Sequence, residues 1–100
     1  MHYVLFYRFV KDSKTVKLPF RNDHLKYAWD AVARGELVLG GALSDPEDEA
    51  MLLFKGDSPE VAENFAKQDP YVLKSVVTQW QVRLWTTVVG EDAGSAVRPA

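Results

Sequence analysis

The sequence predicts a single α+β domain in which strands and helices follow the order β, α, β, β, α, β. Three observations carry that reading. Runs of aromatic and β-branched residues stand near both ends, at Tyr3 to Phe9 and Trp80 to Val89. Apolar residues with helical spacing fill residues 25 to 32, between the first two strand-like runs. A second helix start, Ser58-Pro59, separates the third strand-like run from the last. The chain of 100 residues, 47% hydrophobic and 26% charged, has the size and composition of one core. The domain is expected to span residues 1–89, with residues 90–100 as a loose tail, because Glu91-Asp92-Ala93-Gly94-Ser95-Ala96 has no apolar period.

Residues 2–10 have strand composition, and both alternate sets, Tyr3/Leu5/Tyr7/Phe9 and Val4/Phe6/Val10, are apolar, so both faces of this strand are expected to be covered. Residues 11–17 are polar and read as a loop. Leu25, Ala28, Trp29 and Val32 then follow the i, i+3, i+4, i+7 spacing of one helical face, and Gly35 stops the helix. Residues 36–43 carry Leu37-Val38-Leu39 into Gly40-Gly41, a second strand whose end admits close approach of a backbone or a ligand. The polar turn Asp45-Pro46-Glu47-Asp48-Glu49 leads into a third strand over residues 50–55. Ser58 caps the next helix with Pro59 in its first position, and Val61, Ala62, Phe65 and Ala66 supply its apolar face. Asp69-Pro70 ends that helix, since proline lacks an amide hydrogen and pushes the preceding residue away from helical angles. One further turn is expected within residues 72–77 and a last strand over residues 78–89.

Right-handed crossovers of the two helix-containing units give a ferredoxin-like sandwich, an antiparallel sheet with two helices on one face. On the last strand Trp80, Val82, Leu84 and Thr86 take one side and Gln79, Gln81, Arg83 and Trp85 the other. The mixed side suits an interface, and a domain this small gains buried surface cheaply by pairing, so a homodimer is expected.

Composition excludes several function classes. Lys and Arg total 12 against 14 Asp and Glu, a net charge of -2, with no basic stripe to track phosphates, so nucleic acid is not an expected partner. His2, Arg8 and Lys11 bound the first apolar run too closely for a signal peptide or a membrane span. The absence of cysteine removes disulfides, thiol nucleophiles and Cys-ligated zinc, and suits a reducing cytoplasm. With two separated histidines, and an acidic run at Asp45, Glu47, Asp48 and Glu49 lacking the spacing of a calcium loop, no metal and no cofactor are expected.

The residues able to do chemistry are few. His24 opens the first helix, and Asp69 follows the second. An imidazole titrates near neutrality, and a carboxylate on one ring nitrogen fixes its tautomer and stabilises the cation formed when the other nitrogen takes a proton. A bland reading stands beside this: His24 as a polar boundary residue and Asp69 as the cap of the next turn. Tyr71 could donate to a substrate oxygen, or simply pack its ring. Arg8 and Arg83, on strands expected to be neighbours, could clamp a carboxylate or reach solvent.

Arg21-Asn22-Asp23-His24-Leu25, Gly40-Gly41-Ala42-Leu43 and Asp69-Pro70-Tyr71 together resemble the YciI-like family of the dimeric α/β-barrel group, over roughly residues 2–88. The combination is more specific than any of its pieces. The resemblance implies a dimeric barrel, a histidine–aspartate site at His24 and Asp69, and kinship with muconolactone isomerases and small dechlorinating enzymes of aromatic breakdown. Arg21, Gly41 and Tyr71, from the same three motifs, become candidate substrate contacts alongside Arg8 and Arg83. Two departures put the pocket rim and substrate in doubt: Asn22 stands where the family has proline, and Gly41-Ala42 where it has Gly-Pro. The expected function is therefore acid–base chemistry on a small oxygen-bearing molecule, aromatic or lactone, by isomerisation, elimination or hydrolysis; the rival is a noncatalytic ligand-binding or assembly module.

Overall fold

The structure is a computed structural model that describes residues 1–100. Its strands are β1 (His2–Phe9), β2 (Leu37–Ala42), β3 (Glu49–Lys55) and β4 (Val77–Trp85), and its helices α1 (Ser13–Val16), α2 (Arg21–Ala33), α3 (Glu60–Gln68) and α4 (Pro70–Leu73). The four strands form one sheet in the order β2-β3-β1-β4 with every neighbouring pair antiparallel, which is the ferredoxin-like arrangement. No helix is long and apolar enough to cross a membrane.

Register decides what each face carries. Tyr3, Leu5 and Tyr7 of β1 stand opposite Phe54, Leu52 and Ala50 of β3 and opposite Leu84, Val82 and Trp80 of β4. Partners directly across a ladder share a face. This set looks toward the helices, where Leu5, Tyr7 and Phe54 pack with Ala31 of α2 and with Ala62, Phe65 and Ala66 of α3 in one core. Tyr27 Oη donates to the Phe65 carbonyl at 2.8 Å and ties α2 to α3. The alternate set, Val4, Phe6 and Arg8 with Leu53, Met51 and Glu49, lies on the open face beside Arg83, Gln81 and Gln79. Val4 is buried there by its neighbours, whereas Met51 and Trp85 remain exposed.

Several local expectations need correction. The segment read as a plain loop holds α1 and a 3-10 turn, Leu18–Phe20, that delivers the chain to α2. Pro19 sits in the first turn of that 3-10 element, a position that needs no amide hydrogen. The face shared by Leu25, Ala28, Trp29 and Val32 is only partly a core face: Ala28 and Val32 pack against the core, Trp29 is 67% exposed, and the fully buried residue of α2 is Ala31. All four side chains also line a cavity. Helical period reveals a shared face but not what lies against it. Beyond β4 the chain turns at Gly90, with φ near +112°, and Ser95 and Val97 amides return to the carbonyls of Thr87 and Val88.

Candidate active site

Helix α3 ends where Pro70 cannot supply an amide hydrogen, and Asp69 leaves helical angles for an extended conformation at φ −64°, ψ 127°. Asp69 is then the N-cap of α4: its Oδ1 accepts a hydrogen bond from the Tyr71 amide at 3.0 Å. The same oxygen lies 2.8 Å from His24 Nδ1, across 45 positions of sequence. Its other oxygen, Oδ2, accepts a hydrogen bond from Tyr7 Oη at 2.7 Å. Asp69 is 0% exposed and Tyr7 1%, so the three donors replace the water the carboxylate has lost. Capping and pairing with His24 are therefore not alternatives, since one side chain does both.

Because a carboxylate only accepts hydrogen bonds, the proton between the two groups belongs to His24 Nδ1, and the neutral ring keeps its lone pair on Nε2. The imidazole stacks on the Tyr71 ring with centroids 3.9 Å apart and planes 5° from parallel, which fixes its tilt. Its side chain retains 15% exposure. Burial, reinforced by the Asp69 charge and hydrogen bond, pushes the Tyr7 phenol far above the ordinary tyrosine range, so Tyr7 stays a donor. Burial also raises Tyr71, while the Arg21 guanidinium works the other way.

His24 and Tyr71 open onto a cavity of about 510 Å³ between α2 and β2. Arg21 and Gly41 line the same cavity. Lys17 and Glu47 also line it, joined by an ion pair of 3.3 Å, with Lys17 Nζ 5.2 Å above the Phe9 ring. Of the two glycines of β2, Gly40 is the one whose smallness is used, because a Cβ there would meet Leu52 Cγ at 3.3 Å; at Gly41 an added Cβ would meet nothing within 4 Å. No group of three or more His, Asp or Glu side chains comes together in a metal-binding arrangement.

The structure thus gathers His24, Asp69, Arg21, Gly41 and Tyr71, but not Arg8 and Arg83. Of the two readings of Arg8 and Arg83, the clamp fails on register. Arg8 stands opposite Gln79, and Arg83 opposite Val4, four positions away along β1. At strand spacing that separation is about 13 Å. Both lie on the open face, away from the cavity, and Arg8 sits exposed 4.0 Å from Glu49. Tyr7, absent from the residues expected at the site, is its innermost member. Its signal was in the sequence: it belongs to the core-facing set of β1, and a buried tyrosine hydroxyl needs a partner.

Relatives agree with this architecture. A solved structure of 5-chloro-2-hydroxyhydroquinone dehydrochlorinase, TftG, from Burkholderia phenoliruptrix AC1100, in complex with 2,5-dihydroxybenzoquinone, is similar with a TM-score of 0.73 and 17% identity, over 87% of this chain and 95% of that one. Protein Atu4242 from Agrobacterium tumefaciens is similar with a TM-score of 0.57 and 12% identity, over 94% of this chain and 98% of that one. At such identities the likeness is one of fold. No curated protein is similar to the chain at a significant level. The model of the YCII-related domain matches residues 1–86, so the chain belongs to the YCII-related domain family.

Proposed function

We propose that the protein is a cofactor-independent enzyme in which His24 moves a proton and Asp69 orients it, acting on a small oxygen-bearing molecule held between α2 and β2. One observation carries the reading: a fully buried carboxylate is spent on the Nδ1 side of a histidine whose other nitrogen is left for a ligand. The arrangement suits a general base, because proton uptake at Nε2 creates a cation that the Asp69 charge stabilises. Removal of a proton next to a carbonyl, isomerisation and elimination all begin with that step. The dehydrochlorinase of similar fold acts, by its name, on a hydroxylated ring, which supports a substrate of that size and kind. The reading includes a homodimer through the open sheet face, where Phe6, Met51, Leu53 and Trp85 form an apolar surface around Val4. Light scattering at micromolar concentration is expected to give twice the 11.3 kDa chain mass, and a concentration-independent monomer refutes the pairing.

The test of the chemistry is a thermal-shift screen of small carboxylates, lactones and phenols, followed by turnover of whatever binds. Conversion by the wild type that His24→Gln abolishes and Asp69→Asn strongly reduces is the expected result. A ligand that binds both proteins equally and is never converted would make this a binding module.

A further inference from the structure

The cavity is polar at one end only. On α2 its lining runs from Arg21 and His24 to Leu25, Trp29 and Val32, a distance of about 12 Å from His24 to Val32 at helical rise. Opposite, β2 runs the other way, with Gly41 and Ala42 at the His24 end and Leu37 at the Val32 end, since Ala42 shares a row with Ala50 and Tyr7. Lys17 and Glu47 belong to the polar end with Arg21, for Lys17, paired with Glu47, lies over the Phe9 ring, which packs edge-on against Tyr71.

Tyr71 is the second polar group at that end. It is 5% exposed, and its hydroxyl has no hydrogen-bond partner in the protein. Yet no buried side-chain oxygen or nitrogen is left unpaired, so this hydroxyl opens onto the cavity that Tyr71 lines. Its ring is stacked on the His24 ring at 3.9 Å, so a phenol donor and an imidazole acceptor serve the same end of the cavity.

We propose that this site selects small amphipathic rings whose oxygens are gathered on one edge: His24 Nε2 accepts from one ring hydroxyl, Tyr71 Oη donates to the oxygen beside it, and the hydrocarbon edge lies along Leu25, Trp29, Val32 and Leu37. The inference rests on the acid–base reading and names its substrate class, rings with neighbouring oxygens. A ring with oxygens at opposite ends would have to carry one of them into the apolar end, where no side chain offers it a partner. Arg21 adds a preference for rings whose polar edge carries negative charge.

The test is equilibrium binding of three isomers, catechol, resorcinol and hydroquinone, to the full chain by titration calorimetry, since they differ only in oxygen spacing. Catechol is expected to bind at least about tenfold more tightly than hydroquinone, the factor for one well-placed hydrogen bond gained and no oxygen stranded. An alkyl group at the far edge, in 4-tert-butylcatechol, is expected to tighten binding at least about fivefold by reaching the apolar end. Tyr71→Phe, checked for an unchanged melting temperature, is expected to erase most of the catechol preference. Equal affinity for the isomers, no binding of any, or a preference that survives Tyr71→Phe each overturns the proposal. The acid–base reading fails separately: rings bound with this preference but left unconverted, or converted equally by His24→Gln, sink that reading alone. His24-dependent turnover of a molecule without neighbouring oxygens sinks this inference alone.

Discussion

Replacing Tyr7 with phenylalanine removes one oxygen from the most enclosed part of the molecule and leaves the ring in place. That oxygen donates to Asp69 Oδ2 at 2.7 Å, with both side chains sealed from solvent. Water cannot take its position, so the loss is that of a hydrogen bond to a charged group, about 1.5–3 kcal/mol. The Asp69 carboxylate keeps the Tyr71 amide and His24 on Oδ1 but has no donor on Oδ2. For a domain of this length the expected fall in melting temperature is roughly 7–14 °C. An alkaline signature separates this mechanism from general loosening of the core. The folded protein holds the Tyr7 proton far above the ordinary range, while the unfolded chain releases it near pH ~10. Below that pH both states keep the proton and the stabilisation is complete. Above it the unfolded state gives up a proton that the folded state retains, so stability falls by about 1.4 kcal/mol per pH unit from this residue. Tyr27 and Tyr71 are raised as well, but they are common to both proteins and cancel in the difference. Urea unfolding followed by tryptophan fluorescence at fixed protein concentration, at neutral pH and above pH ~10, measures both effects. A loss under about 0.5 kcal/mol at neutral pH, or alkaline slopes that are the same in wild type and Tyr7→Phe, refutes the reasoning.

Asp69→Asn retains an acceptor for the Tyr71 amide and for His24, and Tyr7 Oη can turn to accept from the new amide, so a loss of about 1–2 kcal/mol is expected in urea unfolding; Asp69→Ala, which strands the Tyr7 hydroxyl and the Tyr71 amide, is expected to cost about 3–5 kcal/mol. Equal losses in the two variants would show that shape, not hydrogen bonding, is what Asp69 supplies. Tyr71→Phe is expected to change stability by less than about 0.5 kcal/mol, in contrast to Tyr7→Phe, because its hydroxyl has no protein partner; a larger loss in the same assay contradicts an outlet to the cavity. Truncation after Val89 removes the hydrogen bonds that the exposed Gly94, Ser95 and Val97 amides donate to Thr87 and Val88, and is expected to lower the melting temperature by only a few degrees. Loss of folding on truncation would show that the tail covers part of the sheet.

Much of the architecture was legible in the residues because the signals are local. Strand composition at Tyr3 to Phe9, the Ser58-Pro59 helix start and the Asp69-Pro70 stop depend on neighbours in the chain, and the structure places elements there. That helix begins one residue later than expected, with Pro59 at its N-cap rather than in its first position, while Ser58 Oγ accepts from the Glu60 amide at 3.3 Å. Alternation along β4 gave the two sides of the sheet, and the ladder with β1 keeps Trp80 and Val82 on the helix side and Gln79, Gln81 and Arg83 on the other.

What the sequence alone could not decide is everything that depends on which surfaces meet. It named His24 and Asp69 but could not choose between a cap and a partner for histidine; only the packing of α2 against α4 brings Nδ1 within 2.8 Å of an oxygen that is already capping α4. It grouped Arg8 with Arg83 because their strands are neighbours, whereas the ladder register sets them four positions apart on the face away from the cavity. It put Leu25, Ala28, Trp29 and Val32 on one helical face without showing what lies against that face, and packing set Ala28 and Val32 against the core and made all four the wall of a cavity. Periodicity and turn chemistry act over a few residues and are written in order along the chain. The Tyr7–Asp69–His24 hydrogen bonds join residues up to 62 positions apart, and their existence depends on helix placement and register, which the packing of the whole domain sets.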